Sequence, residues 1–197
     1  MDPSVHNAMA RWPDVPAVYG YIGVNRRGDF LLQGHRVTHE RTLAFIQRNY
    51  DVDDHGRAFF QNGPQRAYAD LEATPWIYHL GNDRALATHT GRPARELRQA
   101  WLTPDGDVVL VTELGPGLVH AQDLDRLGDA LEDSGGGTGG VAGRLHLAAG
   151  DAPLESLASN NLTACFGFDA HPQPAPDDLR AAVSEWRPAW RLRADDG

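Results

Sequence analysis

Apolar and polar residues alternate over short stretches along much of the chain, a pattern typical of half-buried strands. Residues 15–24 are rich in β-branched and aromatic side chains. Residues 65–72 place Ala67, Ala69 and Leu71 on one face and polar groups on the other. These stretches, with 57–60, 76–80 and 107–113, are predicted strands.

Turn signals separate the predicted strands. Asn62-Gly63 is the strongest of them, because this pair readily adopts the positive φ values of a tight hairpin. The segments VNRRGDFLL from Val24 and LTPDGDVVL from Leu102 both end one strand, turn next to a Gly-Asp pair and return as another strand. They indicate either a duplicated strand–turn–strand–helix module or two independent hairpins with the same turn chemistry.

Helical periodicity is confined to a few segments. Leu43, Ile46 and Tyr50 follow helical spacing, and Thr38 is the predicted N-cap of that helix. Residues 123–131 form a second predicted helix. The sequence therefore predicts an α+β fold, a mostly antiparallel sheet built from hairpins with a few packed helices.

The glycine-rich run SGGGTGG suggests a division of the chain. We expect a main α+β domain over residues 1–133, a linker or loop over 134–140, and a small C-terminal α+β unit over 141–197 that packs on the main domain. In the last unit the pattern predicts a helix at 154–159 and a strand at 162–168, and Cys165 in that strand is predicted to be buried.

Composition restricts the class of protein. With 18 basic and 27 acidic residues the net charge is −9, and every fixed cation is arginine. This charge argues against nucleic acid and anionic membranes as partners. A single cysteine excludes a disulfide within the chain, and the sequence shows neither a signal peptide nor a membrane-spanning run, so a cytoplasmic location is expected.

The sequence matches several known catalytic and binding motifs only in part or not at all. Residues 51–56 resemble the start of a calcium loop, but His55 stands where an oxygen ligand is required, and Asn62 stands where a bidentate glutamate is required. The G-x-G-x-x-G spacing within 135–140 follows a predicted helix rather than a strand. The chain has no Walker lysine and no G-x-S-x-G nucleophile motif. No cofactor and no metal site are predicted.

The segments FFQNGPQR (59–66) and LEATPW (71–76) resemble a bacterial family of proteins known only as a domain of unknown function. The resemblance covers most of the chain up to Thr90 and more loosely the rest. It implies no activity, so function has to be argued from the residues.

The polar residues around the Asn62-Gly63 turn are the predicted ligand-binding residues: Gln61, Gln65, Arg66 and Tyr68. The turn itself does not require Gln61, Gln65 or Arg66, and a guanidinium suits a carboxylate or a phosphate. The structural alternative for Arg66 is a pair within the protein, with Asp70, Glu72 or a helix C-terminus.

Three functions stay open on the sequence alone. The favoured one is a non-catalytic module that binds a small molecule or a protein. The second is a hydrolase or metal-assisted enzyme that uses His35, His39, His79 and His89. The third is an assembly subunit with an exposed strand edge, for which a homodimer is the simplest form.

Overall fold

The computed structural model describes residues 1–132, 141–176, 180–186, 188 and 190. Within these residues it contains sixteen strands, four α-helices and one 3-10 helix. The helices are α1 (Pro3–Arg11), α2 (Glu40–Arg48), α3 (Leu124–Gly128), α4 (Leu162–Phe166) and the 3-10 helix Ala121–Asp123. The strands are β1 (Val18–Val24), β2 (Phe30–Leu32), β3 (His35–Arg36), β4 (Tyr50–Val52), β5 (Ala58–Asn62), β6 (Gln65–Leu71), β7 (Trp76–Leu80), β8 (Leu86–Thr88), β9 (Pro93–Ala94), β10 (Leu97–Leu102), β11 (Val108–Thr112), β12 (Gly115–Val119), β13 (Leu131–Glu132), β14 (Val141–Leu147), β15 (Gly150–Ser156) and β16 (Ala182–Val183).

This architecture corrects the predicted fold class. The protein is mostly β, with two mixed sheets, and is not a mostly antiparallel α+β fold with packed helices. Parallel pairs β1–β6, β7–β12 and β10–β15 join the hairpins into these sheets. Parallel pairing joins strands that are far apart in sequence, so the local alternation of side chains does not reveal it.

The chain divides into two compact units. Unit 1 contains Met1–Asn25, Asp29–Pro75 and the described residues from Gly167 onward. Unit 2 contains Arg26–Gly28 and the described residues between Trp76 and Phe166. The predicted linker at 134–140 lies outside the described residues, and the predicted domain boundaries stay a prediction.

Unit 1 is built on a sheet in the order β3-β2-β1-β6-β5-β4, with β16 parallel to β1. Strand β6 runs parallel to β1, with Ile22 beside Ala69, and antiparallel to β5, with Phe60 beside Ala67. Helix α2 connects β3 to β4 and buries Ile46. The buried Tyr50 hydroxyl donates to the Pro75 carbonyl at 2.7 Å and links the start of β4 to the last residue of the 29–75 segment.

Unit 2 carries a nine-stranded sheet in the order β13-β14-β15-β10-β11-β12-β7-β8-β9. The ring of Tyr78 on β7 lies against Gly117 on β12, where an added Cβ would approach the ring to 2.3 Å. A side chain at position 117 is therefore excluded. The Tyr78 hydroxyl lies 2.7 Å from the Thr112 hydroxyl and donates to the Gly115 carbonyl at 2.9 Å.

The two sheets share a six-strand topology. The order β3-β2-β1-β6-β5-β4 in unit 1 matches β9-β8-β7-β12-β11-β10 in unit 2, strand for strand. The segments VNRRGDFLL and LTPDGDVVL do not occupy equivalent places in this repeat, because the first joins β1 to β2 and the second joins β10 to β11. Their likeness therefore reflects turn chemistry. Helix α2 has no counterpart between β9 and β10, which only Arg95 and Glu96 separate.

Several local predictions are wrong. The N-cap of α2 is His39, whose side chain accepts a hydrogen bond from the Thr42 amide, and not Thr38. Instead of the predicted helix at 154–159, residues up to Ser156 belong to strand β15. The predicted strand at 162–168 is largely helix α4, and Cys165 on this helix is exposed rather than buried.

Among the described residues, none of the helices has the length and apolar character to cross a bilayer.

Candidate functional site

Unit 1 contains a cavity of about 530 Å³ between α2 and one face of its sheet. This volume lies within the range of small-molecule sites in proteins. Its walls come from α2 and from strands β1, β2, β5 and β6. The residues that line it are Val18, Tyr21, Ile22, Leu32, Thr42, Phe45, Ile46, Phe60, Asn62, Gln65 and Ala67.

The sequence explains why room remains beneath α2. Phe45 of the helix contacts Phe60 of β5 edge to face, with ring centroids 5.6 Å apart, and these large rings separate the helix from the sheet. Ala67 lies beside Phe60 on β6, and its small side chain leaves space next to the ring. Ile22 and Ile46 are buried and form the inner wall, whereas Leu32 and Thr42 are exposed at the opening.

The polar groups of the cavity are uncharged. Besides the Tyr21 phenol, they are the Thr42 hydroxyl and the amides of Asn62 and Gln65. Gln65 Nε2 donates to the Pro16 carbonyl at 3.3 Å, which holds this side chain in place. As far as the described residues define the lining, it contains no Asp, Glu, Arg, Lys or His.

Of the four predicted ligand-binding residues, the structure brings Gln65 to the cavity. Arg66 and Tyr68 lie on the opposite face of β6, because successive side chains of a strand point to opposite faces. Gln61, buried on β5, also lies on that face and accepts a long hydrogen bond of 3.5 Å from Arg66 Nε. The structure thus divides the predicted set between the two faces of one hairpin.

The opposite face holds a compact aromatic and ionic network. The Arg66 guanidinium lies 3.9 Å from the centroid of the Phe59 ring, and its Nη1 lies 3.9 Å from Asp53 Oδ2. The Tyr68 hydroxyl donates to the same carboxylate oxygen at 3.3 Å, and its ring stacks on Tyr19 at 4.9 Å. An ion pair of Arg66 within the protein is therefore present, but its partner is Asp53 and not Asp70 or Glu72.

Asp53 organises the turn between β4 and β5. Its carboxylate accepts hydrogen bonds from the backbone amides of His55 and Arg57, and Arg57 Nε donates to it at 2.9 Å. Burial opposes ionisation of Asp53, but these hydrogen bonds outweigh it and lower the pKa of the carboxyl. The segment that resembled a calcium loop thus directs this carboxylate to protein donors.

A second polar group of residues lies in unit 2. His79 Nδ1 is 3.1 Å from Asp123 Oδ2, and the His79 and His120 rings lie 4.6 Å apart, centroid to centroid. Arg126 Nη1 donates to the other oxygen of Asp123. These histidine and carboxylate side chains could hold a metal ion.

The remaining histidines of the enzyme hypothesis have different surroundings. His35 and His39 are exposed in unit 1. His89 is buried in unit 2, where its Nδ1 accepts a hydrogen bond from the Ile77 amide at 3.2 Å. Burial, helped by the nearby His79, lowers the pKa of His89 to about 3, so this imidazole is neutral at physiological pH.

The predicted site residues include neither His120 nor Asp123. His79 lies near the end of the predicted strand at 76–80, but β12, which ends one residue before His120, is not among the predicted strands. The carboxyl ends of parallel neighbours meet at one edge of a sheet, so parallel pairing of β7 and β12 would have placed the two imidazoles together.

Fold and site together define a mostly β protein with a repeated six-strand topology and an apolar cavity under one helix. The chain belongs to the DUF2944 family, described as "Protein of unknown function (DUF2946)", whose sequence profile matches residues 1–173. The resemblance to a family of unknown function drawn from FFQNGPQR and LEATPW is thus confirmed.

Two solved structures are similar to the chain. A DUF1285 family protein from Silicibacter pomeroyi has a TM-score of 0.51 and 16% identity, over 78% of this chain and 87% of that one. A DUF1285 family protein from Shewanella baltica has a TM-score of 0.44 and 16% identity, over 56% and 91%. At this identity the first likeness shows the fold alone. No protein among the curated sequences matches the chain.

Proposed function

We propose that unit 1 is a non-catalytic module that binds a small, uncharged and mainly apolar molecule in the cavity beneath α2. The observation that carries this proposal is the cavity of about 530 Å³, whose walls are apolar apart from a few uncharged polar groups. Cavities of this size and lining are characteristic of small-molecule sites, in which a few polar groups fix the orientation of the ligand.

The lining restricts the chemistry of the ligand. An ionised group that entered the cavity would lose hydration without gaining an opposite charge from the described lining, and such a transfer is costly. A ligand with one or two hydrogen-bonding groups would find the Thr42 hydroxyl and the amides of Asn62 and Gln65. The rings of Phe45 and Phe60 suit a flat or branched apolar body.

This proposal assigns different tasks to the predicted residues. Gln65 would contact the ligand. Gln61, Arg66 and Tyr68 would stabilise the β5–β6 hairpin on the face away from the cavity, through contacts with one another and with Asp53. Direct binding by these three residues stays a prediction, as do the enzyme and assembly hypotheses and the cytoplasmic location.

Binding of the neutral, solvent-sensitive dye Nile red tests the proposal. The variant Thr42→Trp adds a large ring at the exposed opening of the cavity and should weaken binding at least tenfold. The control Arg41→Trp adds the same ring to the neighbouring exposed helix position, which does not line the cavity.

We expect saturable binding by the wild type and by Arg41→Trp, with dissociation constants within twofold of each other. Equal binding by wild type and Thr42→Trp would place the dye elsewhere, and no binding by the wild type would contradict an apolar site. Screening of neutral metabolites by thermal shift then identifies ligands, since a ligand at one hundred times its Kd stabilises the folded state by about 2.7 kcal/mol.

A further inference from the structure

We propose that His79, His120 and Asp123 in unit 2 form a binding site for a divalent transition-metal ion, with Zn²⁺ as the best match. Two imidazoles and one carboxylate are ligands that zinc commonly takes in proteins, and a water molecule usually completes a three-ligand set. This site is independent of the cavity in unit 1.

The fold brings the three residues together by strand pairing. Val119 of β12 lies beside Tyr78 of β7 in parallel register, so His79 and His120 follow at the same edge of the sheet. The His120 amide donates to the Tyr78 carbonyl at 2.8 Å and fixes the backbone there. His120 then caps the 3-10 helix that ends at Asp123, so one short turn returns the carboxylate to the imidazoles.

The donor atoms are close to the spacing that a metal requires. One ligand atom from each residue can be chosen so that all three lie within 4.8 Å of one another. In a tetrahedral zinc site with bonds of about 2.1 Å, ligand atoms lie roughly 3.4 Å apart. The 3.1 Å separation of His79 Nδ1 and Asp123 Oδ2 already approaches this distance.

Burial suits a site that is fixed on one side and open on the other. Asp123 and His120 are buried, at 5% and 8% exposure, so their positions are held by packing. The side chain of His79 is 43% exposed, which gives it freedom to close on an ion and gives the ion a path from solvent.

Asp123 is also held by groups around it. Arg126 Nη1 donates to Oδ1 at 2.5 Å, and the Leu80 amide donates to Oδ2 at 3.3 Å. Such supporting hydrogen bonds orient metal-binding carboxylates, and Arg126 occupies the oxygen that does not face His79. The positive charge of Arg126 opposes a cation, so we expect a dissociation constant of the order of micromolar rather than the much tighter binding of structural zinc sites.

Titration of the protein with Co²⁺ and Zn²⁺, after removal of metals with EDTA, tests the proposal. Co²⁺ should bind in one equivalent with the strong visible absorption of a tetrahedral complex, and Zn²⁺ should displace it. The affinity should fall as the pH is lowered, because protons compete with the metal for the imidazoles.

Variants locate the ion. His79→Ala and Asp123→Asn should each weaken Zn²⁺ binding at least tenfold, and the control His55→Ala, which removes another exposed imidazole, should leave it within twofold. Melting curves establish which variants are folded, and His79→Gln serves as the second substitution if His79→Ala is not. Unchanged binding in folded His79 variants, or no Co²⁺ absorption in the wild type at millimolar metal, would overturn the proposal.

Discussion

The guanidinium of Arg66 lies over the ring of Phe59, 3.9 Å from its centroid, on the face of the β5–β6 hairpin that is turned away from the cavity. The same guanidinium reaches Asp53 and Gln61. The Arg66 side chain, which the sequence alone indicated as ligand-binding, is thus occupied by contacts within unit 1.

Replacement of Arg66 by alanine should affect stability and not binding. The side chain is one-third exposed, so the loss of its stacking and its ion pair should lower the free energy of unfolding by about 1 kcal/mol. Urea unfolding measures this loss, and Nile red titration should give a Kd within twofold of the wild type. A tenfold weaker Kd in a folded Arg66→Ala protein would restore Arg66 as a ligand-binding residue.

The segment beginning at Gly167 should stabilise unit 1 through the turn at Gly56. Gly56 has a φ of +73°, and an added Cβ would lie 2.7 Å from the Gly167 carbonyl oxygen and from the Phe168 Cα. Gly56→Ala should therefore cost about 3 kcal/mol or more, the sum of left-handed strain and a clash with backbone. Thermal or urea unfolding measures the loss.

Gly63→Ala is the matched control for this prediction. Gly63 also has a positive φ, of +57°, but no atom within 4 Å of its added Cβ. It should lose about 1 to 2 kcal/mol from strain alone. Equal losses in the two variants would show that the contact between Gly56 and the segment at Gly167 contributes nothing to stability.

His89 should make the protein sensitive to acid. Its pKa is lowered from 6.5 to about 3 in the folded state, so below pH 6.5 the unfolded state binds the proton that the folded state excludes. The free energy of unfolding should then fall by about 1.4 kcal/mol per pH unit until the folded imidazole also titrates, near pH 3. Above pH 6.5 this contribution is constant.

The variant His89→Asn isolates that contribution, because an amide oxygen can accept the Ile77 hydrogen bond without titrating. Urea unfolding in EDTA between pH 4 and pH 7 should show a shallower loss of stability in the variant, whatever its stability at pH 7. Parallel curves for wild type and His89→Asn would contradict the buried, neutral state of this imidazole.

Local patterns predicted part of the local structure. The Asn62-Gly63 turn does join two antiparallel strands, and the apolar positions Leu43 and Ile46 do lie on a helix. The pattern of apolar spacing failed where contacts with residues distant in sequence determine the local structure. Tyr50, which continues the helical spacing, instead begins β4 and donates its hydroxyl to Pro75.

The cavity and the histidine cluster were harder to predict than the helices and strands, because each depends on parallel pairing of distant strands. The cavity requires β1 to lie beside β6, and the histidine cluster requires β7 to lie beside β12. Gln65 was found as a polar residue that its turn does not explain, whereas Ala67 and Phe45 carry no such signal. Small and apolar residues shape the cavity, and in a sequence they are indistinguishable from ordinary core.

The isoleucines of this chain provide the most direct test of the binding proposal. The sequence has three of them: Ile22 and Ile46 form the inner wall of the cavity, and Ile77 is buried in unit 2. In protein with labelled isoleucine methyl groups, Nile red should give nuclear Overhauser contacts to the methyls of Ile22 and Ile46 and none to Ile77. Contacts to Ile77 alone, or bound dye with no contact to Ile22 or Ile46, would contradict a ligand site beneath α2.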